Sequence, residues 1–245
     1  TEYKIDGFRW DLTKGFTQNC TASDQTCTNA YQQDRVDVLK LYADKQWSFD
    51  PSSYVIFEHL GTDTEEQQWA NYRIGEGKGV ILWDNLNYAY NQNTMGSTSG
   101  SNIGRADYES HGFAERRNKT YGESHDEERL MYRNLTNGAT NGVYNVKNLA
   151  TALERQKAFA AALFTIPGPK MLWQFGELGF DLSINRCANG TVNNNCRTDP
   201  KPSAFSTTLN YYNDPQRKAV YDTWAKIINL RVNNEVFNTK TVQID

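Results

Sequence analysis

Short apolar runs alternate with stripes of helical period along most of this chain. Five runs read as strands, at residues 5–11, 54–58, 79–83, 120–124 and 170–174, each bounded by polar or turn-forming residues. Between them, Val36, Leu39, Tyr42 and Ala43 recur at helical spacing after Asp34, and Asp50-Pro51 breaks that helix. A shorter helix is predicted over 65–72, with acidic residues at its positive end. A long one, over about 146–164, lines up Leu149, Leu153, Ala160, Leu163 and Phe164. Asp214-Pro215 opens the last, with Val220, Trp224, Ile227 and Ile228 along one side. Residues 95–104 are Gly/Ser-rich and read as a loop tip, whereas 105–119 are highly charged without a clear period. Strands alternating with helices predict a parallel α/β architecture.

Three of the strands end in chemistry. Arg9 and Asp11 are two apart on a strand and so project to one face. A carboxylate beside a guanidinium is expected to stay ionised, which suits a nucleophile better than a proton donor. Alone, such a pair is most simply structural. Val55-Ile56-Phe57-Glu58-His59 is a second apolar run ending in a carboxylate, and Tyr121-Gly122-Glu123-Ser124-His125-Asp126 is a third ending in His-Asp.

With these three motifs in this order, the chain resembles glycoside hydrolase family thirteen, the α-amylase family. Gly7-Phe8-Arg9-Trp10-Asp11 looks like the nucleophile segment on the family's fourth barrel strand, Glu58 like the acid/base after the fifth, and His125-Asp126 like the pair after the seventh. The resemblance implies a parallel (β/α)8 TIM-type barrel of which only the second half, strands four to eight, is present. The family's early motif, an Asp-containing segment ending in Asn-His, is absent from this sequence. Residues 1–238 would form the partial catalytic barrel and 239–245 the start of a truncated C-terminal region. It implies a retaining double displacement on α-glucans such as starch, glycogen or maltooligosaccharides. Asp11 would be the nucleophile, Glu58 the acid/base with a pKa raised by burial, and Asp126, helped by His125, the stabiliser of the transition state. Arg9, His125, Lys14, His59 and Trp83 would contact substrate. Gly15 stands where α-amylases often carry His, which leaves branching or transfer chemistry open. Glu177, in Phe175-Gly176-Glu177-Leu178-Gly179, resembles another family segment or caps a turn, and Glu127-Glu128-Arg129 reads as a solvated helix start. Many members bind Ca²⁺, through ligands that would lie partly in the missing half, so no cofactor is assigned. Little or no activity is expected from this chain alone, and self-association through an open barrel edge is a natural consequence.

Composition narrows the rivals. A net charge of −3 disfavours a nucleic-acid partner, and no run of 18 apolar residues offers a membrane span. Aromatics at 13% suit stacking on sugar rings, though large cores collect them too. The cysteines fall in two close pairs, Cys20/Cys27 and Cys187/Cys196, in polar loops and without C-x-x-C spacing. Two local disulfides would fit a secreted, periplasmic or cell-surface protein; free surface thiols are the alternative. A metal-dependent phosphohydrolase built on His125-Asp126 needs more histidines than the three present. A non-catalytic glycan-binding protein would ordinarily have lost one of the three carboxylates.

Overall fold

The computed structural model describes residues 3–21 and 23–244, and these fall into two compact units. The first takes the residues up to Asp84, Gly104–Thr120, and those from Lys240 on; the second takes Asn85–Ile103 and Tyr121–Thr239.

The first unit is built on the sheet. β1 (Gly7–Trp10) is followed by a short α1 (Gln25–Asn29), α2 (Gln33–Phe49), β2 (Tyr54–Phe57), α3 (Asp63–Ala70), β3 (Ile81–Asn85) and β4 (Asn118–Tyr121). The strand order is β1-β2-β3-β4, with β1–β2 and β2–β3 parallel. Sequential parallel strands joined through helices are the α/β topology that the alternating pattern predicts. Among the described residues β1 pairs on one side only. Val55 and Phe57 point from β2 toward the helices and are buried with Val36, Leu39, Ala43 and Trp47 of α2 and Trp69 of α3. The alternate positions, Ile56 and Glu58, therefore point to the opposite face. Gly7 is required where β1 enters the sheet, because a Cβ there would lie 2.2 Å from the Tyr54 carbonyl oxygen.

The second unit is helical: α4 (Asn87–Met95), α5 (Leu130–Asn137), a hairpin of β5 (Thr140–Asn141) and β6 (Tyr144–Asn145), α6 (Leu149–Thr165) and α7 (Pro215–Val232). α7 starts where Asp214 accepts from the backbone N–H groups of Gln216 and Arg217, with Pro215 in the first helical position. Its Trp224 packs edge-on to Phe159 and Phe164 of α6. No helix among the described residues is long and apolar enough to cross a membrane.

Both cysteine pairs are disulfide-bonded, Cys20–Cys27 and Cys187–Cys196. Each closes a short loop, worth about 2–3 kcal/mol on the chain-entropy account.

Several expectations need correction. Residues 170–174 are not a sheet strand: Lys170 makes one bridge, and the run that follows alternates between half-buried and exposed rather than being covered on both faces as a parallel strand is. The fourth strand sits two residues earlier than predicted because Asn118 and Thr120 are drawn inward to Asp84. Arg129 does not lie on a solvated helix start. It is buried, donating to Glu123 at 3.1 Å and to the Gln174 carbonyl at 2.9 Å, while Glu128 accepts from the Ser183 hydroxyl and the Ile184 N–H. Residues 240–244 form no strand; the Lys240 carbonyl accepts from the Tyr108 hydroxyl, and Asp245 lies outside the described residues.

Candidate active site

The strand register assembles the first group. Extending β1–β2 by one step past Trp10↔Phe57 sets Asp11 opposite Glu58, and extending β2–β3 sets Trp83 beside Glu58. Arg9, two residues before Asp11, reaches both acids with one nitrogen: Nη1 is 2.5 Å from Asp11 Oδ1 and 2.8 Å from Glu58 Oε2. The Leu12 backbone N–H points at the same Glu58 oxygen at 3.3 Å. Two oxygens held by one nitrogen lie closer together than the roughly 6.5 Å minimum that inverting glycosidases keep.

The two acids differ in their surroundings. The Asp11 side chain is 75% exposed and that of Glu58 only 7%. Burial, and then its hydrogen bond with Asp11, push the Glu58 carboxyl above the usual range, against the opposing pull of the Leu12 N–H and Arg9. One acid is open to solvent and the other is biased toward keeping its proton.

Other predicted residues land variously. Trp83 is buried beneath cations, with the Arg9 guanidinium 4.7 Å and the Lys119 ammonium 4.1 Å from its ring centroid. It is a floor for them rather than an open sugar platform. The Lys14 ammonium donates to Asn29 at 2.8 Å. His59 does not reach an acceptor subsite: it is 1% exposed, and both ring nitrogens have partners. The alternation of β2 explains this, since the residue after Glu58 turns toward α3, where its ring meets Trp69 edge-on.

In the second unit, His125 and Asp126 are half-exposed and 3.5 Å apart. Arg197, the residue after Cys196, bonds the Asp126 carboxylate and donates to the His125 carbonyl at 3.2 Å. A cavity of about 240 Å³ beside them is lined by His125, Trp173, Phe175, Phe180, Arg129 and Arg197 among others. Glu177 sits in a 3-10 turn, its carboxyl pushed upward by burial.

No protein-family model matches the chain, and no curated protein matches it in sequence. Solved structures do match in fold. AmyP in complex with maltose superposes with a TM-score of 0.59 at 16% identity, over 96% of this chain and 48% of that one. The trehalose-6-phosphate hydrolase of Bacillus licheniformis gives 0.60 at 13%, over 96% and 51%. The apo pullulanase from Klebsiella pneumoniae gives 0.57 at 15%, over 97% and 32%. The shared fold is α/β with a parallel sheet, that of a partial (β/α)8 barrel. The chain spans about half the length of the first of these structures, and at these identities the likeness is one of fold.

Sequence reasoning passed over two residues of the partial barrel. Lys119 lies in the charged 105–119 stretch, which has no usable period. Burial chiefly, and Arg9 next, lower its pKa to about 8, against the pull of Glu58. Arg197 had a signal in its position beside Cys196, because a disulfide fixes its neighbours. Among the described residues of the first unit, Asp63, Glu66 and His111 bring potential ligand atoms together, but the group does not fit calcium. Arg105 already holds both Asp63 oxygens, at 2.7 and 2.8 Å, and lies 2.9 Å from His111 Nδ1. Burial also lifts the Glu66 carboxyl to about 7, so it is no ready anionic ligand.

Proposed function

We propose that this chain is part of an α-amylase-family glycoside hydrolase that cleaves α-glucans with retention of configuration. The observation that carries the reading is the single Arg9 nitrogen shared by Asp11 and Glu58 at adjacent strand ends. Asp11, open and paired with a guanidinium, attacks the anomeric carbon and forms a glycosyl-enzyme. Glu58, whose carboxyl burial pushes above the ordinary range, gives its proton to the leaving oxygen and then takes one from the incoming water as that water displaces Asp11. Asp126 and His125 take their role, binding the hydroxyls of the distorted ring, from the sequence motif. The substrate class follows the resemblance and is supported by the maltose that AmyP carries. The two disulfides suit a secreted, periplasmic or cell-surface protein.

The four sheet strands among the described residues are half the eight of a closed barrel, so full activity is expected only where the barrel is completed. Mass spectrometry of maltoheptaose after incubation tests the reading. A protein with a complete barrel yields shorter oligosaccharides; longer products alongside them assign transfer or branching, for which Gly15 leaves room. Unchanged maltoheptaose in that protein contradicts the proposal.

A further inference from the structure

Behind the candidate pair runs a polar chain without solvent contact. Thr13, Arg35 and Glu65 are 0% exposed. Arg35 donates to Glu65 twice, from Nε to Oε1 at 2.7 Å and from Nη2 to Oε2 at 2.6 Å. His59 Nε2 lies 3.0 Å from Glu65 Oε2, and His59 Nδ1 lies 3.0 Å from Thr13 Oγ1. Thr13 meets Glu58 at its main chain: the Thr13 N–H donates to the Glu58 carbonyl at 2.9 Å, and the hydroxyl lies 3.2 Å from the same oxygen. Thr13 is two residues from Asp11, and His59 is next to Glu58. The chain thus joins the segment carrying one carboxylate to the segment carrying the other.

The proton positions follow from the partners. Burial works to raise the Glu65 pKa, but hydrogen bonds from His59 and Arg35 outweigh it and hold the carboxyl below its ordinary range. An ionised carboxylate only accepts, so His59 carries its proton on Nε2. Burial, with Arg35 and Lys14 adding to it, lowers the imidazole pKa against the pull of Glu65. When the ring is neutral, Nδ1 is an acceptor and the single Thr13 hydroxyl proton goes to it rather than to the Glu58 carbonyl. Gly61 closes the arrangement, because a Cβ there would lie 2.5 Å from the His59 ring.

We infer that Thr13, His59 and Glu65 are positioning residues that set the separation of Asp11 and Glu58. The inference rests on the proposed function for its catalytic meaning, while its geometry stands apart from it. Among the described residues of the first unit, the charged groups facing Glu58 are Arg9 and Asp11 from the β1 segment and Lys119 from β4. Without the Thr13 hydroxyl, the two segments lose their buried side-chain tie and keep the Thr13–Glu58 backbone bond, the Leu12 N–H and the solvent-accessible Arg9 bridge. Asp11 then moves away from Glu58, and the influence that lifts the Glu58 carboxyl weakens.

The test is an NMR titration of the Glu58 carboxyl carbon in Thr13→Val and Thr13→Ser proteins. Thr13→Val moves the midpoint down, toward the ordinary carboxylate value, by about half a pH unit or more. Thr13→Ser keeps the hydroxyl and leaves the midpoint in place. An unchanged midpoint in a folded Thr13→Val protein overturns the inference. If that variant does not fold, the unsubstituted protein decides. Its long-range ¹H–¹⁵N spectrum shows His59 protonated at Nε2 with Nδ1 accepting, and protonation at Nδ1 overturns the inference. Neither readout needs turnover, so failure to cleave α-glucans counts against the proposed function alone.

Discussion

Asp11→Asn lowers kcat/KM on maltooligosaccharides by at least about a thousandfold in a protein with a complete barrel, and leaves the melting temperature unchanged. The side chain is exposed and held by Arg9, so the amide of equal size disturbs no packing. On the proposed mechanism, what it removes is the anion that would form the glycosyl-enzyme, an interaction made in the transition state, and the loss falls on kcat. Glu58→Gln separates the two roles. It costs about 10²–10⁴-fold on natural substrates, and much less on a glycoside whose leaving group needs no proton. Asp11→Asn is not rescued by such a substrate. The pH dependence has a fixed sign. Because the Glu58 pKa is raised, the acid form persists above the usual carboxylate range, and activity falls as pH rises through that raised midpoint. Glu58→Gln loses this alkaline limb. An Asp11→Asn protein within tenfold of the original would remove Asp11 from the mechanism.

Arg35→Met lowers stability by about 3–5 kcal/mol, which for a chain of this size is a fall of roughly 10 °C in melting temperature. Arg35 and Glu65 are both wholly buried, and the guanidinium also donates to the carbonyls of Lys14, Thr28 and Ala30. Methionine fills the volume but strands the Glu65 charge and leaves three carbonyls without their donor. Those carbonyls belong to the loop between β1 and α2, which holds Lys14 and the Cys20–Cys27 disulfide, so the loss loosens the ground next to Asp11. The double variant Arg35→Met/Glu65→Leu removes both charges together and is therefore less damaged than the single one. Differential scanning calorimetry measures both. A shift below about 2 °C for Arg35→Met would mean that the pair contributes little.

The fold was legible where burial writes a period. The stripe Val36, Leu39 and Ala43 placed α2, and the Asp214-Pro215 signal placed the start of α7. α4 escaped because its sequence, Asn-Tyr-Ala-Tyr-Asn-Gln-Asn-Thr-Met, carries no apolar stripe; it ends at Gly96, whose φ of 84° serves as a C-cap. Residues 170–174 were as apolar as a strand, but periodicity does not say whether an extended run finds neighbours to pair with. In the site, side-chain alternation placed Arg9 and Asp11 on one face because it is a local rule, whereas Glu58 was brought to them by the family resemblance; the strand register that sets it opposite Asp11 is a tertiary fact. His59 was misplaced by position alone: next to Glu58 in sequence, it is on the opposite face in space. The partner that buries it, Glu65, is six residues away on α3, and Arg35 thirty residues from that. Buried polar chains of this kind leave no period to read.

The central claim is that Asp11 becomes covalently glycosylated. The most direct measurement is peptide mass spectrometry after incubating the barrel-complete protein with a fluorinated α-glucosyl fluoride, whose ring fluorine slows breakdown of the glycosyl-enzyme. The expected result is one added fluoroglycosyl group on the peptide containing Asp11, absent in Asp11→Asn. Consumption of the reagent with no adduct at Asp11, or an adduct on a different carboxylate, would contradict the account.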